Sequence, residues 1–246
     1  MPVSAADIAR FIRSDVLTDA PVVAQGPNPA DNDPAGLWQG DGERVARKLV
    51  WAVEPTPDDA TRAIEQGADV LLAHRPWRMG NAPDGLTVLA FHRALDDVLA
   101  TGYNPMLARL WRMSDVQPLG ATRRLSALGM IGTLPEPDAD WPARVVETFG
   151  AVESHVVGRS RTVQRVAVVG ALRADLIERA AAYGADAYVT GQMRGGARSA
   201  VLRSGLHVTA VGHARGEEWA MQQVVQALAG RFSHVEVIAL DAGHKL

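Results

Sequence analysis

The chain contains no cysteine. That absence excludes disulfides and thiolate-bound metals outright. Charge of one sign is also missing: the formal net charge is −3 and the pI is near 6.2. Lysines and arginines are scattered, with no basic run beyond Arg123–Arg124. A face for binding nucleic acid is therefore not expected. No stretch approaches the roughly 18 consecutive apolar residues a membrane span requires. The opening MPVSAADIARFIRSD lacks the apolar centre of a secretory signal. A cytoplasmic protein with no membrane partner is the expectation.

Common catalytic signatures are missing too. There is no Gly-x-Ser-x-Gly elbow. Gly170 is followed by Ala171, Leu172 and Arg173, not by the glycines of a dinucleotide fingerprint. The segment GQMRGGARS (191–199) has glycines ahead of a helix, which could cradle phosphate through backbone N–H groups. It lacks the Lys-Ser/Thr of a P-loop.

What is present is a globular balance over 246 residues, 47% apolar and 22% charged. That length suits one large domain or two packed lobes. A unit occurs twice. One copy runs GADVLLAH (67–74) and continues to an apolar run ending in His92, with Asp96 four residues on. The other runs GADAYVTG (184–191) and continues to a run ending in His213, with Glu217 four residues on. Residues i and i+4 lie on one face of a helix, so each imidazole and carboxylate would be aimed together. The doubling points to a duplicated fold whose two pairs face one site.

The periodicity places helices at Ser4–Leu17, Pro57–Gln66, His92–Ala100, Pro105–Arg112, Trp141–Phe149, Ala174–Tyr183, Ala197–Arg203 and His213–Leu228. It places strands at residues 48–55, 70–73, 86–91, 152–157, 165–169, 187–190, 206–211 and 234–240, with RLSALGMIGTLPEP as strand then turn. Residues 18–44, rich in Gly, Pro, Asn and Asp, read as irregular. Strands alternating with helices argue a largely parallel α/β sheet in each half. The expected class is α/β: two similar lobes, 1–125 and 126–246, related by the repeat, with a metal-type cleft between them.

Ligands in such sheets gather beyond the carboxyl ends of strands. His74, His92 and His213 each stand there, and Asp96 and Glu217 follow one helical turn later. A plainer reading also exists for each pair, since acids are favoured in a helix's first turn. The recurrence favours the metal reading. His74 precedes Arg75 and Pro76, a pair that could hold one ion and one anion. Trp77 and Trp38 read either as stacking surfaces or as packing. His155, His207 and His234 fall in strand patterns and read as structural, and His244 has no partner at suitable spacing.

At these residues the chain resembles the Nif-three-like family of dinuclear-metal-centre proteins, also labelled GTP cyclohydrolase 1 type 2 homologues. DNDPAGLWQG resembles the family's early segment through Asn32, Gly36, Leu37 and Gly40. GADVLLAHRP resembles a strand ending in His-His-Pro, and AFHRALDD a His-Thr-x-x-Asp pattern. ALGMIGTL, GADAYVTG and Gly212-His213-x-x-x-Glu217 resemble later segments. The resemblance implies two similar α/β lobes, a homohexamer, and metal ligands at His74, His92, Asp96, His213 and Glu217. It implies two metal ions; His and carboxylate ligands suit Zn, Fe, Mn, Ni or Co, and the arginines would receive a small anionic substrate such as a nucleotide.

The departures bear on chemistry. Arg75 stands where the family has a second histidine, and Arg93 where it has threonine. A guanidinium has no lone pair to give a cation. The expectation is one ion per chain, or none, rather than two, with Arg75 filling the other position and pairing with Asp96 or Glu217. As a hydrolase, the protein would use Glu217 and Asp96 for catalysis and Arg75, Arg93 and Arg194 for substrate. The alternatives are a non-catalytic hexameric scaffold or regulator, and a metal-free nucleotide- or phosphate-binding module.

Overall fold

The Gly-Ala-Asp segments organise both halves by the same set of bonds. In a computed structural model, which describes residues 2–17, 33–100, 103–120, 128–170 and 172–240, helix α2 (Pro57–Glu65) ends at Gly67, at φ +74°. Helix α6 (Ala174–Ala182) ends at Gly184, at φ +75°. Only glycine takes that left-handed conformation without strain. The next amide then closes back on the helix: Ala68 N donates to Ala63 O (2.9 Å) and Ala185 N to Ala180 O (3.0 Å). The following aspartate turns its side chain to the start of the preceding strand. Asp69 Oδ2 accepts from the amides of Arg47 (2.9 Å) and Lys48 (3.1 Å). Asp186 Oδ2 accepts from those of Gln164 (3.0 Å) and Arg165 (2.9 Å).

The described residues divide into two compact units that interleave along the sequence. The first holds residues up to Leu95 and again from Ala220 onward, and the second holds Asp96–Trp219. A single division at 125/126 is therefore not how the chain packs. The reason is β11 (Glu236–Ala239), which pairs in parallel with β2 (Lys48–Ala52) and returns the C-terminus to the first sheet.

In the first unit, α1 (Ala5–Phe11) is closed by a Ser4–Asp7 capping box and continues as a wider turn over Ile12–Val16. Ala5, Ile8, Ala9, Ile12 and Val16 are its buried residues. The sheet has the order β1 (Ala35–Gln39), β4 (Thr87–Phe91), β3 (Val70–Ala73), β2, β11. All pairs are parallel except β1–β4. Strand β1 lies inside the stretch expected to be irregular. As an antiparallel edge strand with a bulge after Leu37, it carries little of the apolar alternation that sequence patterns detect. The short helix α3 (Arg93–Leu95) and a wider turn over Asp96–Ala100 follow β4.

The second unit takes in the wider turn over Asp96–Ala100 and α4 (Pro105–Leu110), and carries six strands: β5 (Ser114–Pro118), β6 (Gly129–Asp138), β8 (Val163–Val169), β9 (Ala187–Thr190), β10 (His207–Ala210) and β7 (Ser154–Val156), in that order. Helix α5 (Trp141–Phe149) lies between β6 and β7 in the chain, and α7 (Arg198–Ser204) between β9 and β10. This sheet is mixed, not largely parallel: only β8–β9 and β9–β10 run parallel. Strand β5 was not expected, because its five residues are mostly exposed and have no buried face to leave a pattern. Helix α8 (His213–Arg231) leads out of the unit. The core strands β3, β4, β9 and β10 are buried throughout, as expected of strands covered on both faces. Asn32, Arg123, Arg124 and His244 lie outside the described residues.

His155 and His207 prove to be neighbours on β7 and β10, their rings stacked at 5.7 Å. His155 Nδ1 lies 2.8 Å from Thr209 Oγ1, and His207 Nε2 donates to Ser160 O at 2.9 Å. Burial, and then repulsion from His207, hold the His155 pKa below its ordinary 6.5. Protonation therefore favours the unfolded chain. Stability should be full above about pH 6.5 and decline as pH falls through the lowered value. The measurement is the urea midpoint across pH 7 to 5, and H155Q should flatten its slope.

Burial of Asp69 opposes ionisation, but the bonds from the Arg47 guanidinium and the Arg47 and Lys48 amides outweigh it, so its pKa lies below the usual carboxylate range. The Arg47 guanidinium is itself 81% exposed, so solvent screens that ion pair and it adds little. The backbone amides matter more. D69A and D186A should each cost about 1–3 kcal/mol by stranding two amides. R47A should cost less than either. Chemical denaturation of the three variants checks the order.

Candidate metal centre

Three of the five expected ligands converge. One donor atom from each of His74, His92 and Asp96 lies within 4.8 Å of the other two. Ligand bonds of about 2.0–2.2 Å place two donors on one ion at most about 4.4 Å apart. Contraction by a few tenths of an ångström would close this trio on an ion. The imidazole rings of His74 and His92 are 5.1 Å apart at 39°.

The local fold explains the approach. His74 follows the last residue of β3 and His92 the last residue of β4, and these strands are parallel neighbours in register, Ala73 beside Ala90. Two residues at matching strand ends are thereby held side by side. Asp96 is one turn after His92, and Leu95 N donates to His92 O (3.0 Å) to close that turn. His74 is completely buried, and its Nδ1 is 2.9 Å from the Phe91 carbonyl oxygen. A carbonyl only accepts, so Nδ1 carries the proton and Nε2 is the basic nitrogen of the neutral ring. That is the tautomer a ligand through Nε2 requires. The donor set therefore fits a divalent cation, two imidazoles and one carboxylate being borderline ligands.

The remaining pair forms its own contact in the second unit. His213 Nε2 and Glu217 Oε1 are 3.0 Å apart, one helical turn from each other. Glu217 is 1% exposed, while the His213 side chain is half exposed. The two halves differ in detail here. Thr87 N donates to Asp69 O and His207 N to Asp186 O, which aligns β4 with β10. On that alignment His92 corresponds to Gly212, and the second histidine comes one residue later. Gly212 takes φ +98° and accommodates the extra residue. Gly191 corresponds to His74, and a Cβ on it would meet His213 Cα at 3.8 Å. The second half has placed a glycine where the first has a histidine.

The arginines take different positions. Arg75 is extended (φ −119°, ψ 93°), as its place before Pro76 dictates. Its amide donates to Val53 O at 2.8 Å. Arg93 and Arg194 are exposed. Trp77 sets its ring edge-on to His92 at 4.7 Å and is 45% exposed. Trp38 packs against the first unit's apolar cluster.

Sequence reasoning missed Asp33. Its Oδ1 is 2.6 Å from His92 Nδ1, and its Oδ2 accepts from Arg93 N at 3.3 Å. The signal was available: Asp33 begins the Asp-Pro-Ala-Gly segment. Nothing local shows that β1 folds back onto β4.

A protein-family model described as Duf34/NIF3 (NGG1p interacting factor 3) matches residues 22–245. A Deinococcus radiodurans protein named GTP cyclohydrolase 1 type 2 homolog is 30% identical over 222 residues, covering 83% of this chain and 81% of that one. An Allochromatium vinosum protein of the same name is 28% identical over 221 residues, covering 82% and 85%. Among solved structures, a Thermus thermophilus protein superposes with a TM-score of 0.70 at 22% identity, covering 99% of this chain and all of that one. Reduced HcgD from Methanocaldococcus jannaschii superposes with a TM-score of 0.69 at 21% identity, covering 98% and 99%. The residues matched by the family model include His74, His92 and Asp96. The chain belongs to the Duf34/NIF3 family.

Proposed function

We propose that the protein is a metal-binding, hydrolase-like member of this family that holds a single divalent ion at His74, His92 and Asp96. The observation that carries the reading is the convergence of that trio, with His74 already in the ligating tautomer. A bound ion would supply an activated water. Asp96 or Glu217 would hold the ion or accept the proton. His213 and Glu217 would serve as the second repeat's own candidate ligands. Arg75, Arg93 and Arg194 would receive an anionic group such as a nucleotide phosphate. The substrate class and the hydrolytic chemistry follow the names of the relatives. The cytoplasmic homohexamer implied by the resemblance is part of the same proposal.

Arg75 limits the occupancy. A fixed cation beside a divalent ion repels it even through screened solvent, and no lone pair compensates. A non-catalytic ring that has lost its second metal position is the reading this residue favours next.

Elemental analysis of the purified protein should find no more than one ion per chain, and R75H should raise the content towards two. Two tightly held ions in the unmodified protein would refute the single-ion reading. Thermal stability should rise on adding Mn²⁺, Fe²⁺ or Zn²⁺, because a ligand that binds only the folded state stabilises it. GTP turnover with those ions supports hydrolysis. Metal stabilisation without turnover favours the non-catalytic ring, and stabilisation by GTP alone marks a metal-free nucleotide-binding module.

A further inference from the structure

Two imidazoles in the trio need the same property: an unprotonated Nε2. For His74 a backbone carbonyl provides it. For His92 the structure holds a different device. We propose that Asp33 is a positioning residue that locks His92 with Nδ1 protonated, leaving Nε2 as the donor nitrogen for the ion. This rests on the metal reading above, and it adds a residue that the ligand set does not contain.

The geometry is specific. Asp33 Oδ1 lies 2.6 Å from His92 Nδ1, with the imidazole 27% and the carboxylate 20% exposed. A carboxylate accepts only, so the shared proton belongs to Nδ1. The other oxygen is also used: Oδ2 accepts the Arg93 amide at 3.3 Å, at the first turn after β4. One carboxylate therefore holds both the ring and the backbone that carries it, which removes its freedom to rotate away. The Trp77 ring lies edge-on to the same imidazole at 4.7 Å, so His92 is held from two directions.

Strand register places Asp33 there. In the antiparallel β1–β4 pair, Ala35 stands opposite Phe91. Continued by two residues, that register sets Asp33 opposite Arg93. His92 N donates to Pro34 O at 3.0 Å, which shows the ladder extending through this point. Pro34 also keeps the residue before it extended. The aspartate is thus fixed by the pairing and is not a loop acid that happens to be near. Outer-shell carboxylates of this kind typically alter metal affinity by about 10–100-fold when removed.

D33N is the informative variant. The amide can turn to donate, and the competing Nε2–H tautomer of His92 then becomes available. Two readouts separate this inference from the metal reading. The first is the ¹⁵N resonances of the His92 ring in metal-free protein above pH 8. The unmodified chain should show Nδ1–H, and D33N a shift towards Nε2–H. The second is zinc affinity by chelator competition, which should fall about 10–100-fold in D33N and recover in part in D33E. Metal-free thermal stability should stay close to that of the parent. An Nε2–H tautomer in the unmodified protein overturns the proposal whatever the metal result and however the variant folds. So does unchanged zinc affinity in a folded D33N. If the parent binds no zinc yet shows Nδ1–H, the metal reading fails while the placement of the proton by Asp33 stands.

Discussion

The carboxylate of each Gly-Ala-Asp segment is the constraint on which the rest of both units depends. It takes two amides at the start of one strand while its own backbone begins the next. Neighbouring parallel strands are thereby set in register at one end. Between Asp69 and His74 lie five residue steps, about 16 Å of extended chain at roughly 3.3 Å each. Because strand length is rigid, fixing the aspartate end also fixes where the far end emerges. The histidines are therefore positioned by hydrogen bonds made at the opposite edge of the sheet. A slip of one residue would turn every side chain of β3 to the other face.

The site inherits its geometry from this arrangement. His74 and His92 are adjacent because Ala73 and Ala90 are adjacent. Asp96 joins them because it follows His92 by one helical turn. Proton placement is settled by oxygen atoms that can only accept: the Phe91 carbonyl for His74 and the Asp33 carboxylate for His92. A buried imidazole left free to choose its tautomer would present the wrong nitrogen part of the time. The second repeat keeps the strands, the glycine turn and the aspartate cap. It replaces the first histidine by Gly191 and inserts Gly212 before His213. Duplication has preserved the frame, and the ends of the strands have diverged.

Arg75 is the residue that sets this chain apart from the pattern it resembles. A histidine there would offer a lone pair, and arginine offers a permanent charge and five N–H donors. Such a substitution exchanges a lone pair for a charge without touching the strand register. The backbone before Pro76 stays extended with either residue. Likeness over nearly the whole chain to solved structures is therefore compatible with a different capacity for cations.

Much of this was legible in the linear order of residues. The buried strands β3 and β9, helix α5 and the glycine-terminated α2 and α6 were all readable, because each depends on contacts within a few residues. The i and i+4 spacing also fixed the His213–Glu217 contact in advance. Edge strands β1 and β5 were not legible, since a strand paired on one side and mostly exposed leaves little periodic trace. Nor was the interleaving of the units, because the β2–β11 pairing joins residues nearly 190 positions apart. Asp33 was hidden for the same reason, lying 59 residues from the imidazole it holds. The repeated local frame and the chemical kinds of candidate ligand could be read from residue order alone, for these rest on short-range geometry and side-chain identity. Which candidate ligands meet, and where their protons sit, emerged only from the folded chain, because strand pairing brings acceptors from distant segments to each ring.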